Sequence, residues 1–423
     1  MQDLAQLTAT DVLRLIQNGR VEPMEWMEAC LDRIDLREGE RHAFAHFDAE
    51  APSRAASRPR PGPLAGMPIG VKDVLDTADM PSQYGSPIWA GWQPRADCAA
   101  VAAARAAGAI VVGKTVTTEF ATRTPGATTN PANAAHTPGG SSSGTAAGVA
   151  DFFFPIGFGT QTAGSIIRPA AYCGAVGYKP SFGTISRIGM KLMSDSLDTV
   201  GVMARSVADC AMFTGAITGR DLGNPDAKPD RAPRIGICRS FSWSQAAPET
   251  QGLLERAATV LSGSGGEVSD FELPTNFSAL ETAHPIVMNH ESACAIGWEM
   301  NNHSNQISAV LQERMDFGLV QTEATRNAAY STFASTQAAF AAAMRDLDIL
   351  VTPSAAGEAP AGIEWTGDPV FNYIWTSLHV PCVTVPVGTG PHGLPLGIQI
   401  VGRRGADRIV LAYAQWVASA LAG

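Results

Sequence analysis

Residues 138–148 read PGGSSSGTAAG, with Ser141, Ser142 and Ser143 in a row between glycines. Such a run can be a flexible linker, a phosphate cradle, a turn that presents a nucleophile, or part of a site whose key residue lies elsewhere. A linker would be longer and would sit at a shift of composition, whereas this run leads into the apolar VADFFFPIGFG. A phosphate loop would end in Lys followed by Ser or Thr, and no lysine is present. The nearby GFGTQTAG meets a dinucleotide fingerprint only at its first two glycines, because Thr162 stands where the third belongs. GSSSG does satisfy Gly-x-Ser-x-Gly with Ser142 at its centre, and His379 or His392 would then be the base. That elbow needs an apolar strand directly before it, and NPANAAHTPGG reads as a loop.

A second serine lies 24 residues beyond Ser141: Ser165, in GTQTAGSIIRPAAYCG. The small residues Thr162, Ala163 and Gly164 before it leave their backbone N–H groups free to converge, as an acyl-transfer oxyanion requires. Lys72 interrupts the apolar MPIGVKDV. A buried lysine loses preference for its charged form and can serve as a neutral base. An ion pair with Asp73 is the competing reading.

The rest of the chain sets the frame. It has 423 residues, 45% hydrophobic and 17% charged, enough for a large buried core. Asp and Glu number 40 against 30 Lys and Arg, and no basic block occurs, which argues against a nucleic-acid partner. Seven scattered cysteines form no Cys-x-x-Cys pair, so free buried thiols in a reducing cytosol are expected rather than a metal or redox site. The first 20 residues lack the pattern of a secretory leader, and no uninterrupted apolar run reaches the roughly 18 residues of a membrane span. A soluble, cytoplasmic protein with no membrane partner is expected.

Thr10 is placed to cap a helix carrying Val12, Leu13, Leu15 and Ile16, and Pro23 opens a second with Met27, Cys30, Leu31 and Ile34 on one face. Residues 51–62, APSRAASRPRPG, read as a loop joining this N-terminal helical arm, residues 1–50, to the body. Pro68 to Val74 reads as a buried strand, Ala99 to Ala107 as a helix, and AIVVGKT as a parallel-type strand. Helices at Thr250–Leu261 and Ser331–Leu347, the latter followed by DILVTP, repeat the alternation. Near the end, CVTVPVGTGPHGLPLGIQIVG reads as two strands around a turn. The expected fold is α/β, a mixed β-sheet core flanked by helices on both faces, in one domain over residues 1–423.

Taken together, the lysine of GMPIGVKDV, the loop GGSSSG and the serine of QTAGSIIRPAAYCG resemble the amidase signature family. The likeness extends through TTEFATRTPGATTNPANAAHTPGGSSSG, LDTVG, DILVTPS and GLPLGIQIVG. The resemblance implies an amidohydrolase that needs no metal or cofactor and works through a Ser–cisSer–Lys triad. Carried over by motif, Ser165 is the nucleophile, Ser141 the relay serine after a cis peptide bond, and Lys72 the base. Ser142 matches a position that supports the triad. The backbone N–H groups of Thr162, Ala163, Gly164 and Ser165 are implied as the oxyanion hole.

Within the family the chain is most similar to malonamidases, which implies that Arg168 binds a substrate carboxylate and that malonamate is hydrolysed to acid and ammonia. A structural arginine tying down the loop is the competing reading of Arg168. Arylacetamides and carboxybiuret-type amides are alternative substrates, and membership of a tRNA-dependent amidotransferase complex is an alternative assignment. Ala163 departs from the glycine common in the family at its position. HPIVMNHESACAIGWE, residues 284–299, is expected to border the pocket; Asn289 and His290 are read as surface residues in preference to hydrogen-bonding partners of a substrate acid or amide, and His136 as a local hydrogen-bonding residue. A homodimer is implied by the resemblance alone.

Overall fold

A computed structural model describes residues 3–422. Its strands are β1 (Phe44–Phe47), β2 (Pro68–Lys72), β3 (Ile110–Thr115), β4 (Ile156–Gln161), β5 (Val176–Lys179) and β6 (Thr199–Ala204), then β7 (Arg234–Ile237), β8 (Glu267–Asp270), β9 (Ile349–Pro353), β10 (Cys382–Thr389) and β11 (Pro395–Val401). They form one eleven-stranded sheet in the order β1-β3-β2-β4-β6-β5-β10-β11-β9-β7-β8. The sheet is mixed: β3, β2 and β4 run parallel, as do β9, β7 and β8, while β4, β6, β5, β10, β11 and β9 alternate in direction.

Both faces are covered because the central strands are apolar on both sides. In β9, Ile349 and Val351 join one hydrophobic cluster while Leu350, between them, joins another. In β3, Val111 faces the first cluster and Ile110 and Val112 a third. The two-residue period of a strand produces this division. In chain order the helices are α1 (Ala9–Gln17), α2 (Pro23–Arg41), α3 (Glu50–Ala56), α4 (Ala99–Ala106), α5 (Ser143–Ala150), α6 (Ile167–Cys173) and α7 (Val207–Thr218). They continue with α8 (Pro248–Gly263), α9 (Leu280–Ala295), α10 (Gly297–His303), α11 (Ala309–Leu319), α12 (Glu323–Ala343), α13 (Tyr373–Ser377) and α14 (Asp407–Ala422). The first cluster draws on α1, α4, α7, α8 and α14, whereas α5, α6, α9, α12 and α13 supply the clusters on the opposite face.

Three local expectations are corrected. Thr8, not Thr10, caps α1, its hydroxyl accepting from the Asp11 N–H. Thr10 lies inside the helix, with its N–H and hydroxyl donated to Asp209. Residues 51–62 are not all loop, because α3 runs through Ala56; Pro52 sits in its first turn, where a missing N–H costs nothing. The N-terminal region is not purely helical either, since β1 pairs antiparallel with β3 and forms one edge of the sheet. All seven cysteines are free, and all but Cys294 are buried. Among the described residues no helix is long and apolar enough to cross a membrane.

Candidate active site

The site gathers at the carboxyl ends of the parallel neighbours β2 and β4, the end of an α/β sheet where ligands usually bind. Lys72 is the last residue of β2 and is completely buried. Its Nζ lies 2.7 Å from Ser141 Oγ and 2.8 Å from Thr160 Oγ1 on β4. Burial lowers its pKa from the usual lysine range to about 7, with Asp198 pulling weakly the other way. The ion pair with Asp73 does not form. Asp73 instead meets Lys114 Nζ at 2.9 Å, both side chains fully buried. Lys72 is therefore left with hydroxyl partners and no carboxylate in contact.

The Gly140–Ser141 peptide bond is cis. The segment around it is held from several sides. Arg168 Nη2 donates to the Gly140 carbonyl at 2.7 Å, and the Thr118 N–H donates to the Ser141 carbonyl at 3.2 Å. α5 begins two residues later. Ser142 is fully buried and clasps Thr160, its Oγ donating to the Thr160 carbonyl and accepting from the Thr160 N–H, both at 3.2 Å. A hydroxyl so occupied is not presented as an elbow nucleophile would be. The two histidines that reading needed are engaged elsewhere, His379 with the Ser196 carbonyl and His392 with Glu358.

Ser165 follows β4 by four residues and lines a cavity of about 150 Å³. Among the described residues its hydroxyl has no hydrogen bond to Ser141; the hydrogen bond resolved between the three side chains is the one from Lys72 to Ser141. The loop from Thr162 to Ser165 is fastened by its carbonyls. His284 Nε2 donates to the Thr162 carbonyl at 3.0 Å, Thr376 Oγ1 to the Ala163 carbonyl at 2.8 Å, and the Arg168 N–H to the Gly164 carbonyl at 2.9 Å. Just beyond, Gln161 Oε1 accepts from the N–H groups of Ile166 and Ile167. The N–H groups of Ala163, Gly164 and Ser165 have no such partner among the described residues. With the carbonyls tied back, these amides are available to an incoming oxygen. Gly164 has no room for a side chain, because a Cβ there would lie 2.5 Å from Asn372 Oδ1 and 2.9 Å from Arg168 Nη1.

Arg168 is buried and lines the same cavity. Its Nε donates to the Thr366 carbonyl at 2.8 Å and its Nη2 to Gly140, so it does fasten the loop. Its Nη1 is buried without a partner. Burial lowers its pKa to about 10, and no carboxylate touches it.

Some contributors carry no mark in the sequence, while others fall in segments quoted above. Thr160 and Gln161 sit in an ordinary apolar strand. Asp198, from the LDTVG motif, accepts from the Thr162 hydroxyl at 2.5 Å and from the Met193 and Ser194 N–H groups, and burial raises its pKa. His284 is buried, and its pKa falls to about 4, so it stands as a neutral donor through Nε2. The segment 284–299 does border the cavity, through His284, Pro285, Met288, Asn289 and Ser292. Asn289 is thus a buried lining residue rather than a surface one, while His290 turns away toward Cys294. His136 bonds the Ala359 carbonyl locally. Among the described residues no group of three His, Cys, Asp or Glu side chains is placed to hold a metal ion.

Residues 25–411 match the Amidase family, and the chain belongs to it. It is 32% identical to a component of the glutamyl-tRNA(Gln) amidotransferase of Salinispora arenicola, with 96% of each chain covered. The peptide amidase of Stenotrophomonas maltophilia has a solved structure that superposes with a TM-score of 0.81 at 29% identity, covering 97% of this chain and 96% of that one. A structure of a vestigial protein complex, bearing on the origins of an s-triazine catabolic enzyme, superposes at 0.87 with 25% identity and covers 97% of each chain. The protein is an amidase signature enzyme, an α/β amidohydrolase with a large mixed sheet.

Proposed function

We propose that this enzyme hydrolyses a small amide bearing a carboxylate, such as malonamate, with Ser165 as nucleophile, Ser141 as relay and Lys72 as base. One observation carries the reading: a buried lysine with a pKa near 7 is hydrogen-bonded to one serine, below a cavity lined by a second. Neutral Lys72 takes the proton of Ser141 as Ser141 takes that of Ser165, and Ser165 Oγ attacks the amide carbon. The oxyanion is received by the N–H groups of Thr162 to Ser165. Collapse expels the amine, which receives the proton back through the same relay and leaves as ammonia. Water, deprotonated along the same route, then cleaves the ester and frees Ser165. Ser142 and Thr160 hold the relay in place. Arg168 Nη1 donates to the substrate carboxylate, and the cavity, about the size that admits a benzene-like molecule, suits a short substrate. A homodimer belongs to the same proposal and rests on the family resemblance, and a cytoplasmic location belongs to it on the strength of the scattered, unpaired cysteines.

The test is ammonia release from malonamate, malonamide, acetamide, phenylacetamide, indoleacetamide and carboxybiuret, each with wild type and Ser165→Ala. Ser165-dependent preference for malonamate is expected. Ser165-dependent preference for a neutral or aromatic amide would retain the mechanism and overturn the substrate.

A second reading, a role within an amidotransferase complex, is favoured by the 32% identity to the Salinispora arenicola protein. It requires that the isolated chain depend on partner proteins and tRNA. Turnover of a free small amide by the purified chain alone would decide against it.

A further inference from the structure

Asp198 is 1% exposed, yet among the described residues no cation touches it, and Arg187 acts on it through charge alone. A buried carboxylate without an ion pair must be held by hydrogen bonds. Asp198 has three: Oδ1 accepts from the Thr162 hydroxyl at 2.5 Å, and Oδ2 accepts from the Met193 and Ser194 N–H groups at 2.7 and 3.1 Å. All three partners donate, which favours the ionised form while burial opposes it. Two features of this position bear on the reaction. The first is mechanical. Thr162 opens the loop whose N–H groups face the cavity, and it is gripped twice, at its hydroxyl by Asp198 and at its carbonyl by His284 of α9. Met193, which Asp198 holds on its other oxygen, lines the same cavity. One carboxylate thus ties the oxyanion loop to a cavity wall. The second feature is electrostatic. Lys72 is completely buried and has hydroxyl partners only. Once it has taken the relay proton it is a buried ammonium with no carboxylate in contact, and Asp198 is the charge that acts on it. The other groups nearby are committed elsewhere: Asp73 to Lys114, Glu291 of α9 to the hydroxyls of Ser194, Ser196 and Tyr330, and His284 to Thr162 as a neutral donor.

We propose that Asp198 is a positioning residue of the amide hydrolysis: through Thr162 it aims the oxyanion donors, and its negative charge steadies the ammonium that Lys72 becomes when the relay proton arrives. This deepens, and rests on, the triad reading above. It places one support of the catalytic machinery in the LDTVG segment, which touches neither Ser165 nor Lys72 directly.

The test uses Asp198→Asn, Thr162→Val and the double variant in the full chain, assayed across pH by ammonia release from the panel amide that wild type turns over fastest. Asp198→Asn keeps the shape and removes the charge. Its kcat is expected to fall about tenfold or more with KM little changed, as for loss of a charge-assisted hydrogen bond. Its acid limb is expected to move to lower pH, because the anion that holds Lys72 toward its charged form is gone. Thr162→Val keeps the charge and removes the hydroxyl, so kcat falls while the limb stays. Because both act through one hydrogen bond, the double variant should lose less kcat than the product of the two single losses. A limb unmoved or raised in Asp198→Asn, losses that simply multiply, or full kcat in Thr162→Val would each overturn the proposal, the last of these even if Asp198→Asn does not fold. Ser165→Ala, run alongside, separates the two readings. Absence of any Ser165-dependent turnover overturns the triad reading and this one with it, whereas Ser165-dependent turnover with an unmoved limb overturns the role of Asp198 alone.

Discussion

In the proposed mechanism Lys72 is the base on which both proton transfers depend. With a pKa near 7 it exchanges its proton in the working range, and only the neutral amine can accept from Ser141. The kcat/KM of wild type should therefore rise with pH along a limb centred near 7, and a pH–rate profile checks this. The same residue marks stability. Between pH 7 and 10.5 the unfolded chain holds a proton at position 72 that the folded chain has lost, so this site makes stability rise with pH across that window. Lys72→Met has no such proton in either state, and the difference in melting temperature between variant and wild type should narrow or reverse toward high pH. Arg168 has two tasks, one toward the cavity through Nη1 and one toward the Gly140 carbonyl through Nη2. Arg168→Ala should then lower kcat for a neutral amide as well as raise KM for malonamate; a change in KM alone would confine it to substrate contact. At this scale Lys72, Ser141 and Ser165 were marked by the family resemblance, whereas the residues alone left Ser142 and a pairing of Lys72 with Asp73 open; the fold sets Lys72 beside Ser141 and gives Asp73 to Lys114. Thr160 was not, since a threonine in a β-strand is ordinary, and its role arises only from the adjacency of β2 and β4.

The elements around the serine run are held by a charge cluster. Arg33, Arg37 and Arg41 recur every four residues on α2, which puts them on one face, and all three reach Asp151 at the end of α5. Arg41 and Asp151 are each 3% exposed, with Nε and Oδ2 2.6 Å apart. Removing one partner of such a buried pair costs about 3–5 kcal/mol. Asp151→Ala should lower stability by that order in chemical denaturation, loosening the helix whose start carries Ser142 and Ser143. The start of α5 is also pressed onto backbone. A Cβ at Gly144 would lie 2.1 Å from the Ala43 carbonyl oxygen and 2.4 Å from the Val116 nitrogen. Gly144→Ala should displace α5 and with it Ser141, reducing kcat at least tenfold in whatever fraction folds. Element types were mostly readable from periodicity: the helices at 99–107 and 250–261 and the strands flanking 390–394 fall where apolar spacing put them. Boundaries were not. Thr8 and Thr10 are chemically equal as caps, and only the contact of Thr10 with Asp209, far along the chain, separates them.

At the scale of the whole molecule, the sheet order brings distant segments to one end. β2 and β4 lie side by side although residues 73–155 intervene between them, and α9 and α11 close the cavity from much further along the chain. The sequence motifs named Lys72 and Ser141, which the fold brings into contact, but nothing in them showed that Arg123 and Arg314 would line the cavity with Ser165. Two arginines in unrelated segments carry no spacing signal, and they come to one cavity only in the folded chain. The alignment to the Salinispora arenicola protein runs over 476 positions, more than the 423 residues of this chain, so that relative holds segments this one lacks. The purified chain should release ammonia from a small amide without any added protein or tRNA, as a steady-state assay will establish.

The most direct measurement is covalent labelling with a fluorophosphonate, followed by peptide mass spectrometry to locate the modified residue. The label is predicted on Ser165, forming faster as pH rises through about 7 and far more slowly in Lys72→Met. Label on Ser142, or labelling of Ser165 at the same rate without Lys72, would contradict the triad.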